Sequence, residues 1–582
     1  LVNQGGAQNY HYQVLRLRGL EIPAAPPGQG GAQQSGDQRI NSFGLGGLVS
    51  IRSGLLTQTR LIDGPALHFG LGGRAGVETA HIYWPNGLPQ GEFDLAGDKA
   101  VTAQQRLKGS CPWLFADNGQ SMAFVTDILW KSPLGLRINA VDTAGVVQTE
   151  DWVNLRGDQL AARDGFYDLR ITAELWETHF FDLVNLMVVD HPTGTQAIVD
   201  ERFSIPPPPL AVQTTGPLFP VDRALDQDGQ DVTDRVAARD EAYLDSFALG
   251  AYQGIAQDHW VELDLERALA ELRRVTPVTP YPRKMRVPPP DIGPPVALYA
   301  TGFIYPTDSS INVAIAQGQA AAPRDLSIEV PDGQGGWRTA RAHEGFPAGK
   351  RKSLLLPLAD LDPEGAAAPG RLRLRTNLEV YWDQLAIVAL VPGREATRTQ
   401  RLAAESAQLR FRGLSVTSHT GDDPAPHAMP EIPDYDRVTT TVPWLNLGGF
   451  YTRFGDVRPL LEQVDDRYVI LNAGDEILLR FKAPADPPAG FTRDFVFISD
   501  GWEKDGDFNT AYGETVLPLP AHDKPEYADP RRFGALGRLQ DDPVYMAHAQ
   551  DWIDYHTRYV PPQRLNRPLL ADPAAGQAPT AP

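Results

Sequence analysis

The sequence predicts a mainly β protein made of several β-sandwich-like modules, with short helical insertions and Pro-rich linkers between them. Two observations lead to this fold class. The 582 residues include 54 glycines and 51 prolines, which favour many turns and short strands over long helices. Several segments alternate apolar and polar residues with the period of two that a half-buried strand shows. A chain of this length can hold three or four domains, each with its own core.

The first hundred residues show this pattern most plainly. Three glycines that can adopt the positive φ angles of a tight turn come first: Gly44, Gly46 and Gly47. Period-two strands are then expected at 48–52, 67–69 and 80–84. The last of them ends at turn residues, Pro85-Asn86-Gly87. We therefore expect a β domain over residues 1–100.

These residues resemble the ASPIC/UnbV domain. The resemblance rests on three motifs in order: Asn41-Ser-Phe-Gly-Leu-Gly-Gly-Leu-Val-Ser-Ile-Arg52, Leu67-His-Phe-Gly-Leu-Gly72 and Tyr83-Trp-Pro-Asn-Gly87. The domain usually lies at the C-terminal end of secreted proteins that are built from FG-GAP repeats, such as the cartilage acidic protein and its bacterial relatives. The resemblance implies a location outside the cytoplasm, whether extracellular, on the cell surface or periplasmic. It implies a binding or scaffold role but no reaction, since the family has no agreed biochemical activity.

The opening of the chain resembles the segment that leads from the last FG-GAP repeat into this domain. The chain also begins at Leu1 rather than at Met. From the resemblance we expect that a propeller-like N-terminal part has been removed or is missing in this member.

An internal repeat is predicted from two blocks, Tyr167 to Val189 and Arg371 to Leu390. Each reads as a strand, an aromatic pair followed by Asp, and a continuous apolar strand. The two triplets are Phe180-Phe181-Asp182 and Tyr381-Trp382-Asp383. We expect a turn at each Asp, with the aromatic side chains covering one end of a sandwich. Because these aromatics lie within strands, core packing is the expected role, and stacking against sugars is the alternative.

The chain is expected to have five parts. They are the ASPIC/UnbV-like domain at 1–100, a first sandwich module at 101–210, a helical insertion and Pro-rich linker at 211–295, a second sandwich module at 296–395, and a mixed C-terminal region with a disordered tail at 396–582. Apolar residues at helical spacing predict helices at 233–248, 262–274 and 543–557. Two Pro-rich segments, 204–210 and 277–295, are expected to be stiff connections.

Net charge, cysteine content and the length of the apolar runs limit the classes of partner and location that the sequence allows. The net charge of −20 argues against nucleic acid, which requires basic patches. It is compatible with cations, with basic partners or with solubility alone. The one cysteine, Cys111, is expected to be a buried structural thiol. The longest apolar runs are too short for a transmembrane segment.

Two Asp-rich loops are the best candidates for a ligand site. They predict a calcium site through Asp226, Asp228, Asp231, Asp500, Asp505, Asp507 and Asn509. Calcium requires six to eight oxygen ligands, and carboxylates at alternate positions around a Gly can supply several of them. The alternative is ordinary turn and capping chemistry, in which each carboxylate accepts hydrogen bonds from nearby main-chain N–H groups.

The sequence does not match the enzyme motifs that were compared with it. The sequence has no G-x-S-x-G nucleophile elbow and no H-E-x-x-H zinc motif. Residues 70–75 fit G-x-G-x-x-A, but a strand follows them where a dinucleotide site needs a helix. We therefore expect an exported, non-catalytic binding or scaffold protein with a protein partner, as a structural subunit of an extracytoplasmic assembly. The alternatives are a carbohydrate-binding or carbohydrate-active protein with a glycan ligand, and a calcium-dependent adhesin.

Overall fold

Strands dominate the computed structural model, with about 50% strand and 9% helix, which confirms the predicted mainly β fold class. The structure describes residues 10–19, 41, 43–85, 89–105, 111–175, 177–250, 252–275, 295–319, 321–359, 361, 368–390, 397–418, 432–440, 446–507, 509–523, 527, 540 and 542–561. The Pro-rich segment predicted at 277–295, apart from its last residue, and the predicted C-terminal tail lie outside this part of the chain.

Seven strands near the N-terminus form two small sheets around one core. They are β1 His11–Arg18, β2 Leu48–Ser53, β3 Leu56–Leu61, β4 Ala66–Gly72, β5 Gly76–Tyr83, β6 Pro89–Ala96 and β7 Lys99–Gln104. The sheet orders are β4–β1–β7 and β3–β2–β5–β6. Ile51 and Phe69 are fully buried between the sheets, as the period-two pattern requires. The strands predicted at 48–52, 67–69 and 80–84 are thus β2, β4 and β5.

The described residues in the middle of the chain supply eighteen further strands and two α-helices. The strands before residue 204 are β8 Trp113–Asp117, β9 Met122–Asp127, β10 Glu150–Leu155, β11 Phe166–Thr172, β12 Glu177–Pro192, β13 Gln196–Ile198 and β14 Arg202–Phe203. The next elements are β15 Gln213–Thr215, β16 Phe219–Pro220, β17 Arg223–Leu225, β18 Ile255–Asp264, α1 Glu266–Val275, β19 Val296–Ile304, α2 Ser309–Ala314, β20 Ser327–Pro331, β21 Trp337–Arg341, β22 Phe346–Pro347, β23 Lys352–Pro357, β24 Arg371–Leu378 and β25 Val380–Ala389.

The part of the C-terminal third that the structure describes adds ten strands and two short helices. They are β26 Arg398–Ala403, β27 Ser406–Phe411, β28 Leu414–Ser418, β29 Ile432–Thr439, β30 Gly449–Tyr451, β31 Gly455–Asp456, β32 Val469–Leu471, β33 Asp475–Lys482, β34 Phe491–Asp505, α3 Pro543–Ala547, α4 Ala549–Tyr555 and β35 Arg558–Val560. The helices α3 and α4 correspond to the helix predicted at 543–557, which a break at His548 divides into two.

Two β-sandwiches are assembled from these strands. In the first sandwich, the sheet β10–β34–β12–β26, with β32 beside β12, faces the sheet β31–β27–β33–β11–β8–β9. In the second sandwich, β16–β25–β19–β23 faces β17–β18–β24–β20–β21. The sequence expectation placed 101–210 and 396–582 in separate parts, whereas hydrogen bonds join strands of both parts in the same two sheets. Likewise, strands within 211–295 belong to the sheets of the second sandwich.

The helix predicted at 233–248 is wrong. Only a three-residue 3₁₀ turn, Thr233–Arg235, lies there. The apolar residues that suggested helical spacing pack instead onto strands: Tyr243 and Phe247 are buried against Phe303 and Tyr381. The helix predicted at 262–274 begins later, at Glu266, because residues up to Asp264 continue strand β18. Tertiary pairing outweighs local spacing in both places.

The predicted internal repeat takes the form of a shared bulge. The sequence expectation of a turn at each Asp is wrong, because Asp182 and Asp383 lie inside continuous strands, β12 and β25. Each is the extra residue at a break in register with the neighbouring strand. Both carboxylates are buried and accept hydrogen bonds from main-chain N–H groups of a passing loop, such as Asp466 and Glu241. The bulge thus fixes a loop at the same place in each sandwich.

The aromatic pairs of the repeat are core residues. Phe180, Phe181, Tyr381 and Trp382 are at most 4% exposed, which confirms core packing and leaves no face for a sugar.

Candidate functional site

A cavity of about 560 Å³ lies between the two sandwiches. Apolar side chains from both modules form much of its wall, including Trp130, Leu134, Leu136, Ile304, Tyr305 and Phe346. Charged and polar side chains lie among them, including Asp308, Arg324, Asp325, His343, Arg375, Glu503 and Asp505. A concave, mostly apolar space with a few convergent polar groups is typical of small-molecule sites.

Hydrogen bonds between the modules hold the walls of this cavity. Asp127 of the first sandwich accepts a bond from the main-chain N–H of Lys350 at 2.7 Å, and its own carbonyl accepts one from Lys352 Nζ at 2.6 Å. Burial raises the pKa of Asp127, although both lysines favour its charge. The hydroxyl groups of Ser309 and Thr510 form a second link, at 2.8 Å. The cavity walls are therefore fixed by buried polar contacts.

The end of β34 connects the cavity lining with a buried group of side chains, because Glu503 belongs to both. Strands β12 and β34 are antiparallel, with His179 opposite Glu503 and Glu177 opposite Asp505. Because directly opposite and alternate residues share one face of a sheet, these side chains project to the same side. Cys111 precedes β8 in the facing sheet, and its Sγ lies 3.2 Å from Glu503 Oε2. We call Cys111, Glu177, His179 and Glu503 the thiol–carboxylate cluster.

The thiol–carboxylate cluster is closely connected. Glu177 Oε2 accepts a hydrogen bond from the main-chain N–H of Cys111 at 2.8 Å and lies 3.2 Å from His179 Nε2. Ligand atoms of Glu177, His179 and Glu503 all lie within 4.8 Å of one another. All four residues are buried, Glu503 being the most exposed at 7%. Within the described part of the chain, Glu177 Oε1 and His179 Nδ1 have no hydrogen-bond partner.

His522 lies among three carboxylates in a second cluster. Its Nδ1 is 2.6 Å from Asp466 Oδ1 and its Nε2 is 2.8 Å from Asp500 Oδ1, while Asp182 lies 3.7 Å away. Burial opposes a charge on His522, but the hydrogen bonds to Asp466 and Asp500 outweigh it and raise the pKa of His522 to about 10. Burial raises the pKa of Asp182 to about 7. At neutral pH this cluster is an imidazolium held by carboxylates.

The first predicted calcium loop forms a tight turn. One oxygen of Asp226 accepts hydrogen bonds from the main-chain N–H groups of Asp228 and Gln230, at 3.0 and 2.9 Å. Asp231 accepts bonds from Thr233 and Arg223, which lower the pKa of Asp231 to about 2. This is the pattern of the turn and capping alternative. Calcium binding at these three residues stays a prediction.

The second predicted calcium loop is divided between two places. Asp500 belongs to the His522 cluster. Asp507 accepts hydrogen bonds from the main-chain N–H of Asn509 and from the hydroxyl of Ser310, at 2.7 and 2.8 Å. Asp505 accepts a bond from the N–H of Asp507 at 2.9 Å. This loop therefore joins the first sandwich to helix α2 of the second, and calcium binding here also stays a prediction.

Sequence reasoning missed Glu177, His179, Glu503 and His522 as candidate functional residues. It expected Cys111 to be a buried structural thiol, and the thiol is indeed buried. The neighbours of Cys111 come from positions 66 and 392 residues away along the chain. One signal was available, because Glu177 and His179 alternate along a strand and must share a face. The strand that completes the cluster could not be identified from sequence spacing.

Comparison with known families matches the chain to the family model described as ASPIC and UnbV over residues 36–109. This confirms the resemblance drawn from the three N-terminal motifs. Such a domain is typical of secreted or extracellular proteins, and its role is uncertain. Comparison with curated proteins and with solved structures gives no match. In the residues that the structure describes, no helix has the length and apolar character to cross a bilayer.

Proposed function

We propose that this protein, which contains an ASPIC and UnbV domain at residues 36–109, acts outside the cytoplasm as a non-catalytic binding protein whose ligand occupies the cavity between the two sandwiches. The cavity is the observation that carries the proposal. Its volume of about 560 Å³ suits a small organic molecule, or part of a larger one.

Acidic groups give the cavity its electrostatic character. Arg375 lies 3.1 Å from Glu329 and is also paired with Asp258, so its charge is largely balanced at the rim. Arg324 is paired with the same aspartate. The carboxylates of the lining, including Glu503 and Asp505, thus favour a ligand that presents hydroxyl or cationic groups toward them.

A carbohydrate is the second candidate ligand. Trp130, Tyr305 and Phe346 supply aromatic surface in the same cavity as carboxylate and guanidinium groups. Sugars present apolar ring faces and hydroxyl edges, which such a wall can contact. The aromatic pairs of the internal repeat do not contribute, since they are buried in the two cores.

A cavity-filling substitution tests the proposal. Ala144 lines the cavity, whereas Ala140 lies on the same loop, is exposed and does not line it. We would screen the protein by native mass spectrometry against a panel of mono- and oligosaccharides and of small amphipathic amines. A member of the panel should bind the unsubstituted protein, and Ala144→Trp should weaken it by about tenfold or more. Ala140→Trp should leave the affinity unchanged.

Two outcomes would contradict the proposal. If no member of the panel binds, or if Ala144→Trp binds as well as Ala140→Trp, the cavity is not the binding site. Gentle isolation from the source, followed by native mass spectrometry, would then show whether bound protein subunits make the chain part of an extracytoplasmic assembly.

A further inference from the structure

The thiol–carboxylate cluster combines a sulfur, an imidazole nitrogen and two carboxylate groups in one buried place. We propose that Cys111, Glu177, His179 and Glu503 bind one divalent first-row transition-metal ion of the zinc type. The cluster shares Glu503 with the cavity lining, and metal binding to it can be measured without any organic ligand.

Pairing of β12 with β34 places three of the four groups. The direct opposition of His179 and Glu503 brings an imidazole and a carboxylate together, and Glu177 lies two residues along the same face. The facing sheet supplies Cys111, which adopts a positive φ of 82°, an uncommon conformation for a residue with a side chain. Its Sγ is directed to Glu503 and its N–H to Glu177. Ligand atoms of Glu177, His179 and Glu503 thus lie within 4.8 Å of one another, and the Cys111 thiol from the facing sheet joins them through its 3.2 Å contact with Glu503.

Burial makes a cation at this place favourable. Two carboxylates, Glu177 and Glu503, lie in one buried group, at 1% and 7% exposure. A buried negative charge is costly unless a cation or hydrogen bonds compensate it. Glu177 Oε1 and His179 Nδ1, both completely enclosed, have no hydrogen-bond partner among the described residues. Orphaned buried polar atoms beside a set of metal-ligand types are what a site prepared for an ion is expected to show.

The identity of the ligand atoms selects the class of metal. Calcium and magnesium prefer oxygen ligands alone, and calcium takes six to eight of them. Thiolate and imidazole ligands select zinc and related ions, which bind four N, S or O ligands in a tetrahedron. The cluster offers this mixed set of four. The His522 cluster does not, because both nitrogens of its imidazole are already engaged by carboxylates in the charged form.

Metal titration of the whole chain tests the proposal, with Zn²⁺ and Co²⁺ as the probes. The protein, first treated with a chelator and then dialysed, should bind one equivalent of Zn²⁺ by native mass spectrometry. Co²⁺ should give a sulfur-to-metal charge-transfer band, which reports a thiolate ligand directly. Cys111→Ser, which changes a single buried atom, should abolish that band. His179→Gln should weaken Zn²⁺ binding by about 100-fold or more, since even outer-sphere changes cost 10- to 100-fold.

His522→Gln is the matched control, because it removes a histidine from the other group of potential ligands. It should leave the stoichiometry and the Co²⁺ band unchanged. The proposal is overturned if the chain binds no stoichiometric Zn²⁺, if Cys111→Ser keeps the band, or if His522→Gln rather than His179→Gln abolishes binding. If His179→Gln fails to fold, the Co²⁺ band of Cys111→Ser still tests the proposal, because this nearly isosteric substitution is expected to preserve the fold.

Discussion

Replacing His522 by Gln should remove a pH-dependent part of the stability of the first sandwich. The imidazole is hydrogen-bonded to Asp466 and Asp500 and faces Asp182, while its ring contacts Trp502. Burial disfavours its charge, yet these carboxylates raise the pKa of His522 from 6.5 to about 10. A raised pKa in the folded state means that folding is favoured by the bound proton. The contribution is therefore complete below pH 6.5 and is lost as the pH rises through about 10.

The size of the effect follows from the shift and the exposure. A pKa that moves from 6.5 to about 10 corresponds to an upper limit of about 5 kcal/mol. Because 27% of the His522 side chain is exposed, solvent screening leaves on the order of 2 kcal/mol. Roughly half of this is lost above pH 8, where Asp182, whose pKa is about 7, has already ionised. Above pH 8 the change in stability with pH therefore comes from deprotonation of the His522 imidazolium.

Calorimetry at several pH values measures this contribution. At pH 6 the melting temperature of His522→Gln should lie about 5 °C below that of the unsubstituted protein. The difference should shrink steadily toward pH 10. His68→Gln, at an exposed position in β4, is the control for general alkaline effects and should give a constant difference. A gap between His522→Gln and the unsubstituted protein that stays constant from pH 6 to 10 would refute the reasoning.

Two further predictions concern the bulges and the acidic loop. Gly501→Ala should destabilise the first sandwich by about 3 kcal/mol, because its Cβ would lie 2.1 Å from the carbonyl oxygen of Phe180. Gly302→Ala should do the same to the second sandwich, while Gly70→Ala, with nothing within 4 Å, should change either transition by less than about 0.5 kcal/mol in calorimetry. Equal effects at all three positions would contradict the bulge geometry. The double substitution of Asp505 and Asp507 by Ala should weaken the junction with α2, and thermal melts with and without calcium decide its cause. A loss confined to calcium-containing buffer indicates a metal site, and an equal loss in both indicates hydrogen bonding alone.

The N-terminal domain shows what local sequence patterns can predict. Each of its expected strands was recognisable from alternation within about six residues, and glycines marked the turns. Burial of Val49 and Ile51 on one face follows from the same alternation. A family resemblance limited to these residues could be recognised because the motifs are continuous in the chain.

The helix expected at 233–248 shows where local patterns mislead. Its apolar residues have helical spacing, but Leu244 forms a β-bridge with Trp382, 138 residues away. A pairing partner so far along the chain decided the conformation around Leu244, and no feature within the segment could reveal it.

The sequence by itself determined the strand content, the N-terminal domain and the residues that alternate on each strand face. These features depend on neighbours within a few positions, so composition and periodicity are sufficient to define them. Tertiary structure alone decided that strands from residues 113–192 and 398–505 share two sheets, and that the second sandwich lies within the gap between these two segments. It also decided that His179 faces Glu503, 324 residues away, and that Cys111 joins them. The physical reason is that strand register is set by hydrogen bonds and core packing between distant segments, and a sequence records no such partner.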